Sequence, residues 1–262
     1  MRIAKNGASI ANLTDWRTLA GPKDPEQWVE GRSAMEVARA WLDGLAGGPP
    51  EEIARLLRSN SDFQNLVIQE AEPDARLSSD TRRGELGNAD LVFMGHDSTG
   101  AVVGSVEAKS DDPFGPRVSD VLDIALERAV SNPRSVGIDG VVELVRGLIP
   151  PRAPDTVSIV DLRYRLLTGI AGTLAVAAKR HAERAIYIVH VFETDKTSAR
   201  ELAANTSDVN EFVHRLSSGS LPQLEEGILH GPIHVRGEAL AARPAALYIG
   251  KATRRLSDPV QK

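Results

Sequence analysis

Three side chains near the middle of the chain could do chemistry together. Asp90 lies at the start of the apolar run 89–95, and Glu107-Ala108-Lys109 closes the run 101–109. Both runs read as β-strands, and the short turn His96-Asp97-Ser98-Thr99-Gly100 between them predicts an antiparallel hairpin. Side chains alternate across a strand, so Glu107 and Lys109 share one face, and the start of the first strand lies beside the end of the second. Two carboxylates and one ammonium therefore converge. Such oxygens suit a hard divalent cation, magnesium above all, which takes one or two carboxylates and keeps waters in its remaining positions. The ion lowers the pKa of a water and neutralises charge on a phosphoryl oxygen, while Lys109 helps to orient or deprotonate the attacking water and to stabilise the developing negative charge. An exposed strand end with an ordinary Glu and Lys presents the same spacing, so the pattern by itself leaves both readings open.

The elements that must position these residues follow from periodicity. Residues 1–30 are rich in Gly, Pro, Asp and Asn and read as an N-terminal arm packing on the core. Ser33 with Glu36 makes a capping box for a helix carrying Met35, Ala38, Trp41, Leu42 and Leu45, and a short helix over 50–59 turns Ile53, Leu56 and Leu57 inward. A strand runs from Leu66 to Leu77, followed by a polar loop over 78–88, then the hairpin. Helical spacing resumes through Val118, Val121, Leu122, Ala125, Leu126 and Ala129, again over 140–148, and most strongly from about Val160 to Arg184, where Gly169 and Gly172 permit close packing. The run 185–192 is nearly all apolar and predicts a central strand. A helix over 198–216 and two short strands, 228–236 and 245–249, complete an α/β chain with a core over 31–217 and a C-terminal extension over 218–262.

Composition narrows the classes. The chain has 262 residues, 42% hydrophobic and 26% charged, enough for one large α/β domain or a core with a small appendage. Its net charge of −5 argues against a polybasic nucleic-acid coat and leaves room only for local binding. The absence of cysteine excludes disulfides, thiolate zinc sites, iron–sulfur clusters and cysteine nucleophiles, and suits a reducing cytoplasm. No stretch reads as a signal peptide or a membrane span. His230 and His234 have metal-pair spacing, but Gly231-Pro232 breaks any helix between them. His190 lies on one face of the buried strand and reads as a satisfied core histidine. Asp111 and Asp112, before Pro113-Phe114-Gly115, could extend the acidic cluster, but read in preference as turn chemistry. The cluster Lys179, Arg180, His181 and Arg184 suits a helix C-terminus, with a phosphate contact as the alternative.

Asp90 and Glu107-Ala108-Lys109, set in the order α-β-β-β-α-β, resemble the PD-(D/E)XK nuclease superfamily of restriction endonucleases and DNA-repair nucleases. The segments VVGSVEAKSDDPFG and LRYRLLTGIAGTLAVAAKRHAERAIYIVHVFET are also similar to a group of uncharacterised bacterial proteins assigned to that superfamily. The resemblance covers roughly residues 30–217. Ala89 stands where the motif's name places proline, a tolerant position that mildly weakens the match. The resemblance implies a restriction endonuclease-like αβββαβ core, Mg²⁺ (or Mn²⁺) held by Asp90, Glu107 and the Ala108 carbonyl, and Lys109 as catalytic lysine. It implies a further acid from the preceding element, for which Glu70 is preferred to Glu36. Arg163, Tyr164 and Arg165 at the start of the long helix are implied to meet a phosphate, Arg163 and Arg165 separately because they lie about 200° apart. Arg82 and Arg83 suit contacts to backbone phosphates rather than bases. The expected activity is metal-dependent phosphodiester hydrolysis, most readily of DNA, in a bacterial cytoplasm. Cleavage of both duplex strands would favour a homodimer, though no sequence feature establishes one. The alternative is a catalytically silent nuclease-fold binding or assembly module in a defence or toxin system.

Overall fold

The apolar runs pair as their alternation predicts. In the computed structural model, which describes residues 1–45, 47–78, 86–235 and 245–256, strand β3 (Val67–Arg76) is antiparallel to β4 (Asn88–Asp97), and β4 is antiparallel to β5 (Gly100–Lys109). Strand β6 (Arg184–Glu193) then lies parallel to β5, as its continuous apolar run requires of a strand covered on both faces. Two short strands, β1 (Arg2–Lys5) and β2 (Ala8–Ser9), extend the sheet beyond β3, and β7 (Leu229–Ile233) and β8 (Ala246–Arg255) extend it beyond β6. The order is β2-β1-β3-β4-β5-β6-β8-β7. The chain is thus mixed α/β.

Helices cover both faces. On one face lie α1 (Leu13–Ala20), α2 (Ser33–Asp43) and α3 (Glu51–Arg58), which bury Trp16, Trp41 and Leu56 with Phe93, Val106 and Ile188 of the sheet. On the other lie α4 (Val118–Ser131), α5 (Gly137–Leu148), α6 (Tyr164–Lys179) and α7 (Ala199–Leu216), which bury Leu144, Leu167, Ile170 and Phe212 with Val103, Tyr187 and Val189. Among the described residues no helix is long and apolar enough to cross a membrane.

The structure departs from the sequence reading at several element ends. The segment 1–30 is no bare arm: it supplies β1, β2 and α1, with β1 parallel to β3. The C-terminal strands are not a short pair, because β8 runs ten residues and sits inside the sheet beside β6. Ser33 does not cap α2; the N-cap is Arg32, and Glu36 accepts the Gly31 N–H at 2.8 Å. Helix α6 begins at Tyr164 because Leu162 (ψ 150) and Arg163 (ψ 122) are extended, and it ends at Lys179, so Arg184 belongs to β6. Leu126 of α4, placed on the apolar stripe by its spacing, is 53% exposed.

Two glycines set the close approaches on which the hairpin and α6 depend. A Cβ on Gly169 would come within 2.8 Å of Tyr187, so glycine lets α6 lie close on the sheet. Gly104 pairs across the hairpin with Phe93, whose ring covers the place where a Cβ would stand. Gly104→Ala is therefore expected to lower stability by about 1–3 kcal/mol through overpacking. Urea denaturation checks this; an unchanged midpoint would mean that the Phe93 ring moves aside freely.

Candidate active site

The β4–β5 register pairs Leu91 with Val106, and continuing it one step sets Asp90 opposite Glu107. Both side chains and that of Lys109 face α6, in an open groove also lined by Ser33, Asp112, Phe114, Tyr164 and Arg165. Asp90 Oδ2 accepts the Ala108 N–H at 2.7 Å, which fixes the carboxylate against the neighbouring strand. Glu107 is 2% exposed, and Arg165 Nε donates to both of its oxygens at 2.9 and 2.8 Å. Lys109 Nζ lies 3.1 Å from Glu107 Oε1 and 2.9 Å from Asp112 Oδ2, with its ammonium 5.1 Å from the centre of the Phe114 ring.

The charges in this groove are unevenly balanced. Burial and the Glu107 charge push the Asp90 carboxyl up to about 7, although Lys109, Arg165 and the Ala108 N–H oppose them. Burial works against the charged form of Lys109, but Glu107, Asp112 and Asp90 outweigh it and hold the side chain cationic well past its ordinary range. An ammonium held so firmly is a poor proton acceptor, so of the roles expected for Lys109 the geometry suits orientation and charge stabilisation rather than deprotonation of a water.

The donor set fits a divalent cation of the magnesium kind. Two facing carboxylates supply the hard oxygens that such an ion takes. Among the described residues no three acidic or histidine side chains gather closely enough to hold an ion by themselves, so Asp90 and Glu107 would act as a pair completed by water. A cation would also require Arg165 to yield an oxygen of Glu107.

Not every expected residue joins the groove. Glu70 pairs with Met94, four residues along β4 from Asp90, and at roughly 3.4 Å per residue that separation is about 14 Å. Glu70 therefore does not extend this cluster. Arg163 donates from Nε to Asp208 (2.8 Å) and from Nη1 to the Gly115 carbonyl (2.8 Å), which ties α6 to α7 and to the loop before α4. Tyr164 and Arg165 do line the groove, and Ala108 lines it with its N–H committed to Asp90. Arg82 and Arg83 lie outside the described residues.

Other contributors were set aside or missed in the sequence. Asp112, read as turn chemistry in preference to an extension of the acidic cluster, is an ion-pair partner of Lys109, and its Oδ1 accepts from Ser33 Oγ at 3.2 Å. The available signal was its position three residues after Lys109, where a chain reversal returns a side chain to the strand end. Buried hydroxyls hold the 31–33 turn above the same strand ends: Ser110 and Thr194 both donate to the Gly31 carbonyl, at 2.6 and 2.9 Å. Tyr187, 2% exposed, stands behind Glu107 and Arg165 with a hydroxyl that has no hydrogen-bond partner among the described residues.

The remaining candidates resolve into structure. His190 is fully buried on the opposite face of the sheet, with Nε2 2.9 Å from Glu52 Oε1, but its Nδ1 has no partner among the described residues, so it is a half-satisfied core histidine. Arg184 makes a bidentate pair with Asp97 (2.9 and 2.6 Å) at the hairpin turn rather than serving the end of α6. His230 Nε2 accepts the Glu225 N–H at 3.3 Å.

Comparison with known proteins finds one match and two blanks. No curated protein and no solved structure matches the chain. A sequence family described as a domain of unknown function, DUF6946, matches residues 9–254, which takes in every strand and helix of the groove. The chain belongs to the DUF6946 family.

Proposed function

We propose that the protein is a metal-dependent nuclease that hydrolyses phosphodiester bonds, with DNA as its most favourable substrate, and that its centre is a restriction endonuclease-like core. One observation carries the reading: Asp90 and Glu107 face each other at the ends of adjacent strands, with Lys109 on the same face. The succession of helices α2 and α3, the antiparallel strands β3, β4 and β5, and, after the intervening helices α4 and α5, helix α6 and the parallel strand β6 supports it.

In this reading Asp90 and Glu107 hold Mg²⁺, with Mn²⁺ as a substitute. When bound, the ion supplies a more acidic water and neutralises phosphoryl charge. The chain's own groups do the rest. Lys109, buried and fixed between Glu107 and Asp112, directs its ammonium at the anionic ester and stabilises the charge that grows during in-line displacement. Arg165, on the α6 side, exchanges one Glu107 oxygen for a phosphate oxygen. The Ala108 N–H keeps Asp90 oriented.

A second reading, a nuclease-fold binding or assembly module without turnover in a bacterial defence or toxin system, is favoured by Arg165, which already occupies both Glu107 oxygens. Incubation with supercoiled plasmid, linear duplex and single-stranded DNA in Mg²⁺, Mn²⁺ or EDTA separates the two. The nuclease reading expects cleavage in either metal and none in EDTA. Inert DNA in every metal would leave the silent module as the better account.

A further inference from the structure

Arg165 holds Glu107 by a single proton. Its Nε–H is shared between the two carboxylate oxygens, at 2.9 and 2.8 Å, so the contact is bifurcated rather than the two-proton fork that a guanidinium can make. Nη1 and Nη2 are left without a hydrogen-bond partner among the described residues. Nη1 lies beside Gly87, another lining residue of the groove, where a Cβ would stand 3.5 Å from it. The backbone under the side chain is fixed, because Arg163, the N-cap of α6, is tied to Asp208 and to the Gly115 carbonyl two residues earlier. Any movement of the guanidinium is thus a rotation of a partly exposed side chain over a buried carboxylate.

This contact competes with a cation for the same oxygens. Lys109 adds to the hold on Glu107, 3.1 Å from Oε1, so release of the Arg165 proton is what opens the carboxylate. Asp90, Glu107 and Asp112 share the groove with Lys109 and Arg165, and with every group ionised the cluster carries one negative charge. A divalent cation entering alone would reverse that sign in a site where burial leaves charge poorly screened. A phosphodiester entering with it restores neutrality. The same anion supplies the oxygens that Nη1 and Nη2 lack, in the forked geometry that guanidinium and phosphate share.

We propose that Arg165 makes divalent-cation uptake depend on a phosphodiester anion: engaged by the anion through Nη1 and Nη2, the guanidinium turns off Glu107 and frees an oxygen for the cation. The proposal rests on the nuclease reading above and adds regulation to that site. Cation is held weakly until substrate phosphate arrives. Coupling between two ligands is reciprocal, so the cation tightens the anion by the same factor.

The test uses the full chain and single-stranded hexathymidylate in two forms: phosphorothioate linkages, which keep the negative charge and resist hydrolysis, and methylphosphonate linkages, which are neutral. Calorimetric titration follows Mn²⁺ uptake by the protein alone and with each strand, every run corrected by a titration without protein. In wild type the charged strand is expected to tighten Mn²⁺ at least about tenfold and the neutral strand less than about twofold. Arg165→Met is expected to bind Mn²⁺ at least about tenfold more tightly than wild type when no strand is present, and to gain less than about threefold from the charged one. Direct attraction between metal and phosphate survives in the variant, so a gain as large as that of wild type overturns the proposal, as does an equal response of wild type to both strands. If the variant fails to fold, the Arg165 Nε–H resonance of wild type in EDTA carries the test: a shift with the charged strand alone supports the release of Glu107, and no shift overturns it. DNA cleavage by a protein whose Mn²⁺ affinity ignores the charged strand defeats the coupling and spares the nuclease reading; coupling in a protein that cleaves nothing does the reverse.

Discussion

Lys109→Ala is expected to lower metal-dependent DNA cleavage by at least about 100-fold, the scale on which removal of one fixed cationic or hydrogen-bonding group acts on developing charge. The effect is large because the group is both buried and fixed: Lys109 is 6% exposed and lies within 3.1 Å of Glu107 and 2.9 Å of Asp112. A water cannot reproduce that placement. The same variant should retain metal uptake, since the carboxylates lose an ammonium that competes for them. This split between cleavage and metal uptake separates a chemical role from a structural one. A variant that folds normally and still cleaves within about threefold of wild type would remove Lys109 from the mechanism.

Asp90→Asn is expected to stabilise the metal-free protein while abolishing its activity. The folded-state pKa of about 7 stands above the ordinary aspartate value of 3.8. A raised carboxyl contributes stability that is present below the unfolded-state pKa and lost as pH rises through the folded one, here between about 4 and 7. Asparagine carries no such charge, and its Oδ1 can still accept the Ala108 N–H. Above pH 7 the variant should therefore exceed wild type by about 2 kcal/mol or more, with the difference shrinking toward pH 4. Urea denaturation in EDTA at pH 4.5, 6 and 8 measures it. A variant less stable than wild type at pH 8, or a difference that does not change with pH, would contradict the reading that burial and the Glu107 charge raise the Asp90 carboxyl. Stability given up for a functional charge is a familiar trade.

How much of this was readable beforehand depended on distance along the chain. The Asp90–Glu107–Lys109 arrangement was legible because a tight hairpin fixes its own register, and strand alternation then assigns the faces. Gly169 and Gly172 were legible as close-packing positions because both lie on the apolar stripe of a long helix. What escaped depends on tertiary placement. Glu70 lies in the expected strand, but the β3–β4 register, with its irregularity between Ile68 and Glu70, carries it past the cluster. Arg163 and Arg165 were separated on helix geometry, but Arg163 is the extended N-cap of α6 rather than part of the helix, and nothing local specifies Asp208 as its partner or Glu107 as that of Arg165. Asp112 obeyed turn chemistry and served the groove as well. Strand β8 was read short because Gly250, Lys251 and Thr253-Arg254-Arg255 interrupt its apolar pattern; pairing with β6 and β7 supplies the order that the pattern lacks.

The central claim is that Asp90 and Glu107 together hold a divalent cation. Calorimetric titration of Mn²⁺ into wild type, Asp90→Asn and Glu107→Gln, each shown to be folded by circular dichroism, addresses it without requiring a substrate. The account predicts uptake at one site in wild type and none in either variant. Equal uptake by all three proteins, or no uptake by wild type, would contradict it.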